Sequence, residues 1–340
     1  MARSYRILAI VPFPGVAVLG RLKDMNDTTM HAIGQDTIGG PEVLTEIELP
    51  IPTPGPGEIL VRVRAAGLNP TDWRHRGVAG LFLDEPPFVL GWDVSGEVVR
   101  TGIGVTLFEP GDEIFGMLPY PNGHGACAEY VVGPARAFAP KPLNLDHIQA
   151  AAVPLAALTA WQALVDTAKL QAGQRILIHA AAGGVGHFAV QIAKARGAHV
   201  IGTASAANHA FLRELGVDET IDYRTTDFAD AVRDVDVVLD SIDDENSVRS
   251  LRTLRPGGLL VSLRAFGPTA LTAEAQRSGV RAVRMLVEHD HAGMTALARL
   301  AESGTLRPTV AGVFPLAEAA KAHALGETGR TVGKLVLTVP

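Results

Sequence analysis

The sequence is short of several things, and each shortage narrows what the chain can be. It has one cysteine, Cys127, in 340 residues. No intramolecular disulfide can form, and every zinc site built on two or more thiolates is excluded. Such sparing use of cysteine fits a reducing compartment, and a cytoplasmic location is expected. Positive charge is in the minority: 30 Lys and Arg face 36 Asp and Glu, a net charge of -6. That excludes the basic surface of a phosphate-tracking nucleic-acid binder, while leaving room for one anionic ligand in a local pocket. A membrane span is not expected either. The apolar run at residues 7–19 is broken by Pro12 and Pro14 and falls short of the roughly 20 residues a bilayer helix needs. Arg3 and Arg6 before that run give it the outline of a signal peptide, but no small-x-small cleavage site follows. Residues 1–29 are read as a poorly packed extension from an upstream or non-native start, with export as the alternative.

What is present is a large apolar fraction, 47% of residues, enough for a sizeable core. The length suggests about two domains at roughly 150 residues each. Residues 30–153 read as β structure. Residues 58–64 (EILVRVR) alternate apolar and charged side chains, 94–99 and 128–132 are further strands, and Gly and Pro turns separate them. From residue 154 the pattern changes. Apolar strands at 175–180, 199–203, 235–239 and 259–263 alternate with helical stretches at 187–196, 208–215 and 245–254. Nearly all-apolar strands alternating with helices predict a doubly wound α/β unit with a parallel sheet covered on both faces. The reading divides the chain into 30–153, 154–292 and 293–340. A helix at 294–303 and a last strand at 333–338 return to the first domain.

The most informative segment is residues 180–187 (AAAGGVGH), which fits the dinucleotide pattern G-x-G-x-x-G with Ala181 in place of the first glycine. Gly183 lets the backbone approach a pyrophosphate, Gly186 lets the helix pack closely on the strand, and the helix N-terminus offers N–H groups to phosphate. Cofactor choice is read from the end of the second strand. An NAD-selective site places a carboxylate about 20 residues beyond the glycine turn. Here Thr203, Ala204 and Ser205 occupy that position and the first acid is Glu214. Nothing there repels a 2′-phosphate, so NADPH is the expected cofactor.

The glycine turn, residues 189–194 and 197–203, and the segments 39–44, 66–70, 154–161 and 256–258 resemble the medium-chain dehydrogenase/reductase superfamily. Within it they resemble the zinc-independent NADPH:quinone oxidoreductases, the ζ-crystallin-like branch. The resemblance runs from about Met30 to Pro340. It implies a GroES-like β-rich catalytic domain interrupted by a Rossmann domain, with the active site in the cleft between them. Where zinc-dependent relatives carry a Gly-His-Glu triplet, this chain has Gly91, Trp92 and Asp93, and no cysteine lies near Asn69, so no metal is expected.

The resemblance also nominates site residues. Asn69 matches the cleft asparagine, read either as an amide on substrate or ribose, or as a turn residue before Pro70. Thr159 and Lys334 match positions near the nicotinamide, with a hydroxyl bonded to its own turn and an edge-strand lysine as the alternatives. Ala182, Gly183, Gly184, Val185 and Gly186 form the phosphate turn. Thr203, Ser205, His209 and Tyr223 surround the 2′-phosphate, and Ser241 and Phe266 complete the cofactor set. The clamp tyrosine of some relatives is absent, with Trp73, Arg74 and His75 in its place. Tyr120 and His124, in a glycine- and proline-rich loop, are the alternative proton donors or pocket walls, with solvated loop residues as the other reading, and Trp92 is read as pocket wall or core. The function read from this is hydride transfer from NADPH to a quinone or activated alkene, a small electrophilic partner. The alternatives are an enoyl-thioester reductase and a cofactor-binding protein without turnover. Residues 280–287 read as a last sheet strand, which predicts a homodimer paired edge to edge.

Overall fold

The computed structural model describes residues 28–80, 86–264 and 270–340. Nearly all of the extension at 1–29, and Phe266, therefore lie outside the described residues. Only Thr28 and Thr29 of the extension are described, and Thr29 opens a strand.

The α/β unit is a six-stranded parallel sheet. Across the sheet run Glu219–Asp222, His199–Ala204, Arg175–Ile178, Val235–Asp240, Leu254–Ser262 and Arg281–Arg284. By position in the chain this is the order 3-2-1-4-5-6, which reverses direction between the first and fourth strands. A doubly wound sheet binds its ligand at that switch point, beyond the carboxyl ends of the strands. The first strand holds Ile176, Leu177 and Ile178 fully buried, as a strand covered by helices on both faces must be.

The second unit is antiparallel. Its long central strand, Glu58–Leu68, pairs on one side with Asp93–Thr101. On the other it pairs with Tyr130–Pro134 along its first half and Lys334–Thr338 along its second. The C-terminal strand thus rejoins this antiparallel unit, with Leu335 opposite Leu68, and brings Lys334 beside Asn69. A three-stranded sheet of Thr45–Pro50, Thr29–Gln35 and Phe88–Val89 covers the rim.

Several element boundaries differ from the sequence reading, each for a local reason. The strand expected at 128–132 is Tyr130–Pro134, and Ala128 makes only an isolated bridge to Ala32. The helix expected at 245–254 is Asp244–Ser250, capped by the Asp243 carboxylate on Asn246 N–H at 2.8 Å. The next strand begins at Leu254, earlier than its apolar run, because Gly257 at φ 75° carries the chain through a bulge. The helix expected from Met294 begins at His291, since Asp290 accepts from Ala292 and Gly293 N–H. The expected last strand, 280–287, contracts to Arg281–Arg284 at the sheet edge.

Candidate active site

The glycine turn joins the strand Arg175–Ile178 to the helix Gly186–Ala195. Glycine is required at its end. A Cβ on Gly186 would lie 2.2 Å from the Ala180 carbonyl oxygen and 2.7 Å from Ala181 Cα. Ala180 itself sits in the left-handed region at φ 48°, a conformation that costs a non-glycine residue on the order of 1 kcal/mol.

A chain of hydrogen bonds holds it there. The Ser250 hydroxyl donates to Asn246 O at 2.7 Å, so it accepts from the Nε2–H of His179 at 2.9 Å. His179 Nδ1 then accepts from the Thr203 hydroxyl at 3.2 Å, and that hydroxyl accepts the Ala180 N–H at 3.2 Å. Burial pushes His179 down to about 3, which keeps its ring neutral and this direction of donation intact.

The turn is also gripped from the other unit. Gly333 N–H donates to Ala182 O at 3.0 Å, and Thr309 N–H donates to His187 Nε2 at 3.3 Å. The opposite nitrogen of His187 donates to Gly183 O at 2.9 Å. Burial pushes His187 down to about 4, against the pull of that backbone bond.

Beyond the carboxyl ends of the first three strands lies a cavity of about 810 Å³. Ala182, Gly183, Thr203 and Ser205 form its turn side and Tyr223 its far wall. Three arginines line it: Arg224, Arg249 and Arg330. Arg224 lies 5.7 Å from the Tyr223 ring centre, and Arg249 lies over Phe228 and pairs with Asp227 at 2.7 Å. Thr331, on the same wall, has a buried hydroxyl with no hydrogen-bond partner. A glycine-lined turn, a helix N-terminus, an orphan hydroxyl and three cations around one cavity suit a nicotinamide dinucleotide.

At the other end of the cleft is a buried polar node. Asn69 caps the helix Pro70–Gly77, and its N–H donates to the Asp72 carboxylate at 2.6 Å. Its side-chain amide donates to Asp93 at 2.9 Å and accepts from Lys334 Nζ. Lys334 also donates to Leu68 O at 2.8 Å and reaches Asp93 at 3.2 Å. The second oxygen of Asp93 accepts Leu155 N–H at 2.7 Å, at the start of the helix Pro154–Trp161, tying the two units together. Burial raises both carboxyl groups, Asp72 to about 7, while Lys334 and the Asn69 bonds oppose the rise.

Above this node an aromatic wall rises. Trp92 is fully buried, with ring centres 5.2 Å from His75 and 5.3 Å from Tyr120. The Tyr120 hydroxyl lies 3.0 Å from that of Thr71, and burial holds it above the ordinary tyrosine value, so it keeps its proton at neutral pH.

The sequence-nominated residues fall into four groups. Ala182, Gly183, Thr203, Ser205 and Tyr223 line the cavity together. Gly184 meets Lys334 instead, a Cβ there coming 3.4 Å from its Cδ, and Val185 is the N-cap of the turn helix. Asn69 and Lys334 are turned into the buried node, and Thr159 donates to Leu155 O in its own helix at 2.6 Å. His209 and Ser241 are half-buried and are not among the cavity's lining residues. Sequence reasoning missed Arg249 and Arg330 at the cavity, and Asp72 with its partner Asp93 as a buried pair. The arginines come from a distant helix and from the other unit, and no local motif announces them. The carboxylates carried a weak signal, an Asn-Pro-x-Asp capping pattern at 69–72. Among the described residues no group of three His, Cys, Asp or Glu side chains is arranged to hold a metal ion.

The chain matches the family described as "Alcohol dehydrogenase GroES-like domain" over residues 55–143 and "Zinc-binding dehydrogenase" over residues 215–337. It is 37% identical to the 2-haloacrylate reductase of a Burkholderia species, over 88% of this chain and 96% of that protein. The quinone oxidoreductase of Coxiella burnetii superposes with a TM-score of 0.86 at 36% identity, over 92% of this chain and all of that one. The Escherichia coli quinone oxidoreductase complexed with NADPH gives 0.82 at 30% identity, over 91% and 99% of the two chains.

Proposed function

We propose that this chain, which belongs to the medium-chain dehydrogenase/reductase superfamily and has quinone oxidoreductase relatives, works in the zinc-independent branch. From that membership we propose that it uses NADPH to reduce quinones or activated alkenes. The observation that carries the reading is the 810 Å³ cavity at the sheet's switch point, lined by the glycine turn and by Arg224, Arg249 and Arg330.

When bound, the dihydronicotinamide supplies the hydride. The chain's own residues do the rest. The helix Gly186–Ala195 turns its N-terminus to the pyrophosphate. Arg224, Arg249 and Arg330 supply positive charge for a 2′-phosphate, and Ser205 a hydroxyl. Asp227 also lines this wall, but its ion pair with Arg249 offsets its charge. The buried Asn69–Asp93–Lys334 node fixes the floor of the cleft and leaves proton donation to Tyr120, whose hydroxyl is set by Thr71. The single cysteine supports a reducing compartment, the cytoplasm.

The test is kcat/KM with both cofactors, using a small quinone, a conjugated enone and crotonyl-CoA. Preference for NADPH is expected, and Ala204→Asp swings it toward NADH by roughly ten- to a hundredfold by setting a carboxylate against the phosphate. A wild type that prefers NADH overturns the cofactor assignment. Turnover of crotonyl-CoA alone favours the enoyl-thioester reading, and tight NADPH binding without turnover of any substrate favours a binding protein.

A further inference from the structure

We propose that Thr71 and His75 are positioning residues for the proton donor. His75 makes the Thr71 hydroxyl a donor to the Tyr120 oxygen, so that the proton Tyr120 carries is the one handed to the substrate. This rests on the reductase reading and deepens it.

The three side chains come from two segments. Thr71 and His75 sit one turn apart on the helix Pro70–Gly77, and so on the same face. Tyr120 lies in the turn that follows the strand Glu113–Met117. The Thr71 hydroxyl is 3.0 Å from the Tyr120 hydroxyl and 3.0 Å from His75 Nδ1. The same Nδ1 is 2.8 Å from the Thr71 carbonyl oxygen. The His75 ring is buried, with its centre 5.2 Å from that of Trp92 and 6.4 Å from that of Tyr120.

The hydrogens fix the direction of each bond. A carbonyl oxygen only accepts. His75 Nδ1 therefore carries a hydrogen, since a bare nitrogen at 2.8 Å would set two lone pairs against each other. A protonated Nδ1 cannot accept from the Thr71 hydroxyl. The one hydrogen of that hydroxyl then goes to its other neighbour, the Tyr120 oxygen. If Tyr120 donated to Thr71 instead, the Thr71 hydrogen would have no protein acceptor. The neutral imidazole and its cation both carry the Nδ1 hydrogen, so the direction holds in either charge state. Among the described residues, Asp72 and Arg74 on the helix, and His75 and His124 packed on the Trp92 ring, are the titratable groups around the tyrosine.

Such a bond gains strength as the reaction proceeds. As hydride adds to the substrate and its π bond opens, the Tyr120 O–H bond breaks and the proton joins the substrate's electron pair. The substrate is reduced, the dihydronicotinamide is oxidised, and the tyrosine oxygen is left with negative charge. A hydroxyl already aimed at that oxygen stabilises the charge as it forms, without turning. Water supplies the replacement proton.

The experiment reads tyrosinate absorbance of the cofactor-free protein against pH, together with kcat for a conjugated enone at saturating NADPH. It compares the wild type with Thr71→Val, Thr71→Ser, His75→Phe and Tyr120→Phe. The last isolates the Tyr120 signal among the chain's 4 tyrosines. Thr71→Val should raise the Tyr120 midpoint by about one to two pH units and lower kcat roughly ten- to a hundredfold. Thr71→Ser should restore both. His75→Phe keeps a ring but loses the Nδ1 hydrogen, and should shift the midpoint the same way by less. In the Tyr120→Phe background, Thr71→Val should lower kcat no further. A Thr71→Val midpoint that stays or falls overturns the proposal, and so does a His75→Phe midpoint equal to the wild type's. An equal loss of kcat in both backgrounds, or a Tyr120→Phe enzyme as active as the wild type, overturns it as well. Where alkaline unfolding precedes ionisation, the kcat comparison decides. All of these outcomes leave the reductase reading standing. A wild type that reduces neither the enone nor a quinone fails that reading instead, and the titration still tests the bond.

Discussion

Asp72 is a carboxyl group wholly removed from water, with one oxygen on the Asn69 N–H and only the Gly91 backbone near the other. Its folded value of about 7 lies above the ordinary 3.8, so the folded state holds its proton more tightly than the unfolded chain does. The contribution to stability is full at low pH. It is lost as pH rises from about 4 to about 7, where only the unfolded state ionises freely, by up to about 4 kcal/mol. The buried histidines act in the opposite sense. His179 and His323 near 3, and His187 near 4, cost stability as pH falls below their unfolded value of 6.5. Asp72→Asn keeps an acceptor for the helix cap and removes only the carboxyl's share. Urea midpoints at pH 5 and pH 8 should show the variant gaining on the wild type at the higher pH, and a constant difference would refute the raised carboxyl. Lys334 is the counter-charge for Asp93, and removing one partner of a buried pair leaves the other uncompensated. Lys334→Met should therefore cost about 3–5 kcal/mol in urea unfolding, and adding Asp93→Asn should recover part of that loss.

The strand–turn–helix at 175–195 is the element on which the cofactor reading stands, and two of its glycines separate space from function. Gly186→Ala drives a Cβ into the Ala180 carbonyl at 2.2 Å, whereas Gly184→Ala meets Lys334 Cδ at an ordinary 3.4 Å. The first should lower the thermal midpoint sharply and weaken NADPH binding at least tenfold, since the helix can no longer close on the strand. The second should leave the midpoint nearly unchanged. Equal effects in the two variants would mean that the turn is not held by close packing. This element was legible because its information is local: an apolar run, a glycine pattern and a helical period in consecutive residues. The strand Leu254–Ser262 and the helix from His291 were misjudged at their starts. There a Gly257 bulge and an Asp290 cap set the boundary, and neither changes the hydrophobic pattern.

At the scale of the whole molecule, among the described residues the six-stranded sheet ends at the strand Arg281–Arg284, where Val283 and nearby Leu286 are more than a third exposed. A parallel edge strand with exposed apolar side chains is the place for a second copy to pair, and we propose a homodimer there. Light scattering at micromolar concentration should give twice the chain mass of 35.8 kDa, and Val283→Lys should shift it toward one. A wild-type monomer would count against the edge.

The sequence by itself determined the two-unit plan, the parallel sheet, the phosphate turn and the absence of an acid at the end of its second strand. Each of these is written in neighbouring residues, where period, turn chemistry and spacing act directly. Only the tertiary structure decided what Asn69 and Lys334 do. Their side chains are 265 positions apart and meet because the last strand pairs with the one that ends at Leu68. The same holds for Arg330 at the cavity wall. A charge acts through space, and no pattern along the chain records which distant charge the fold will set beside it.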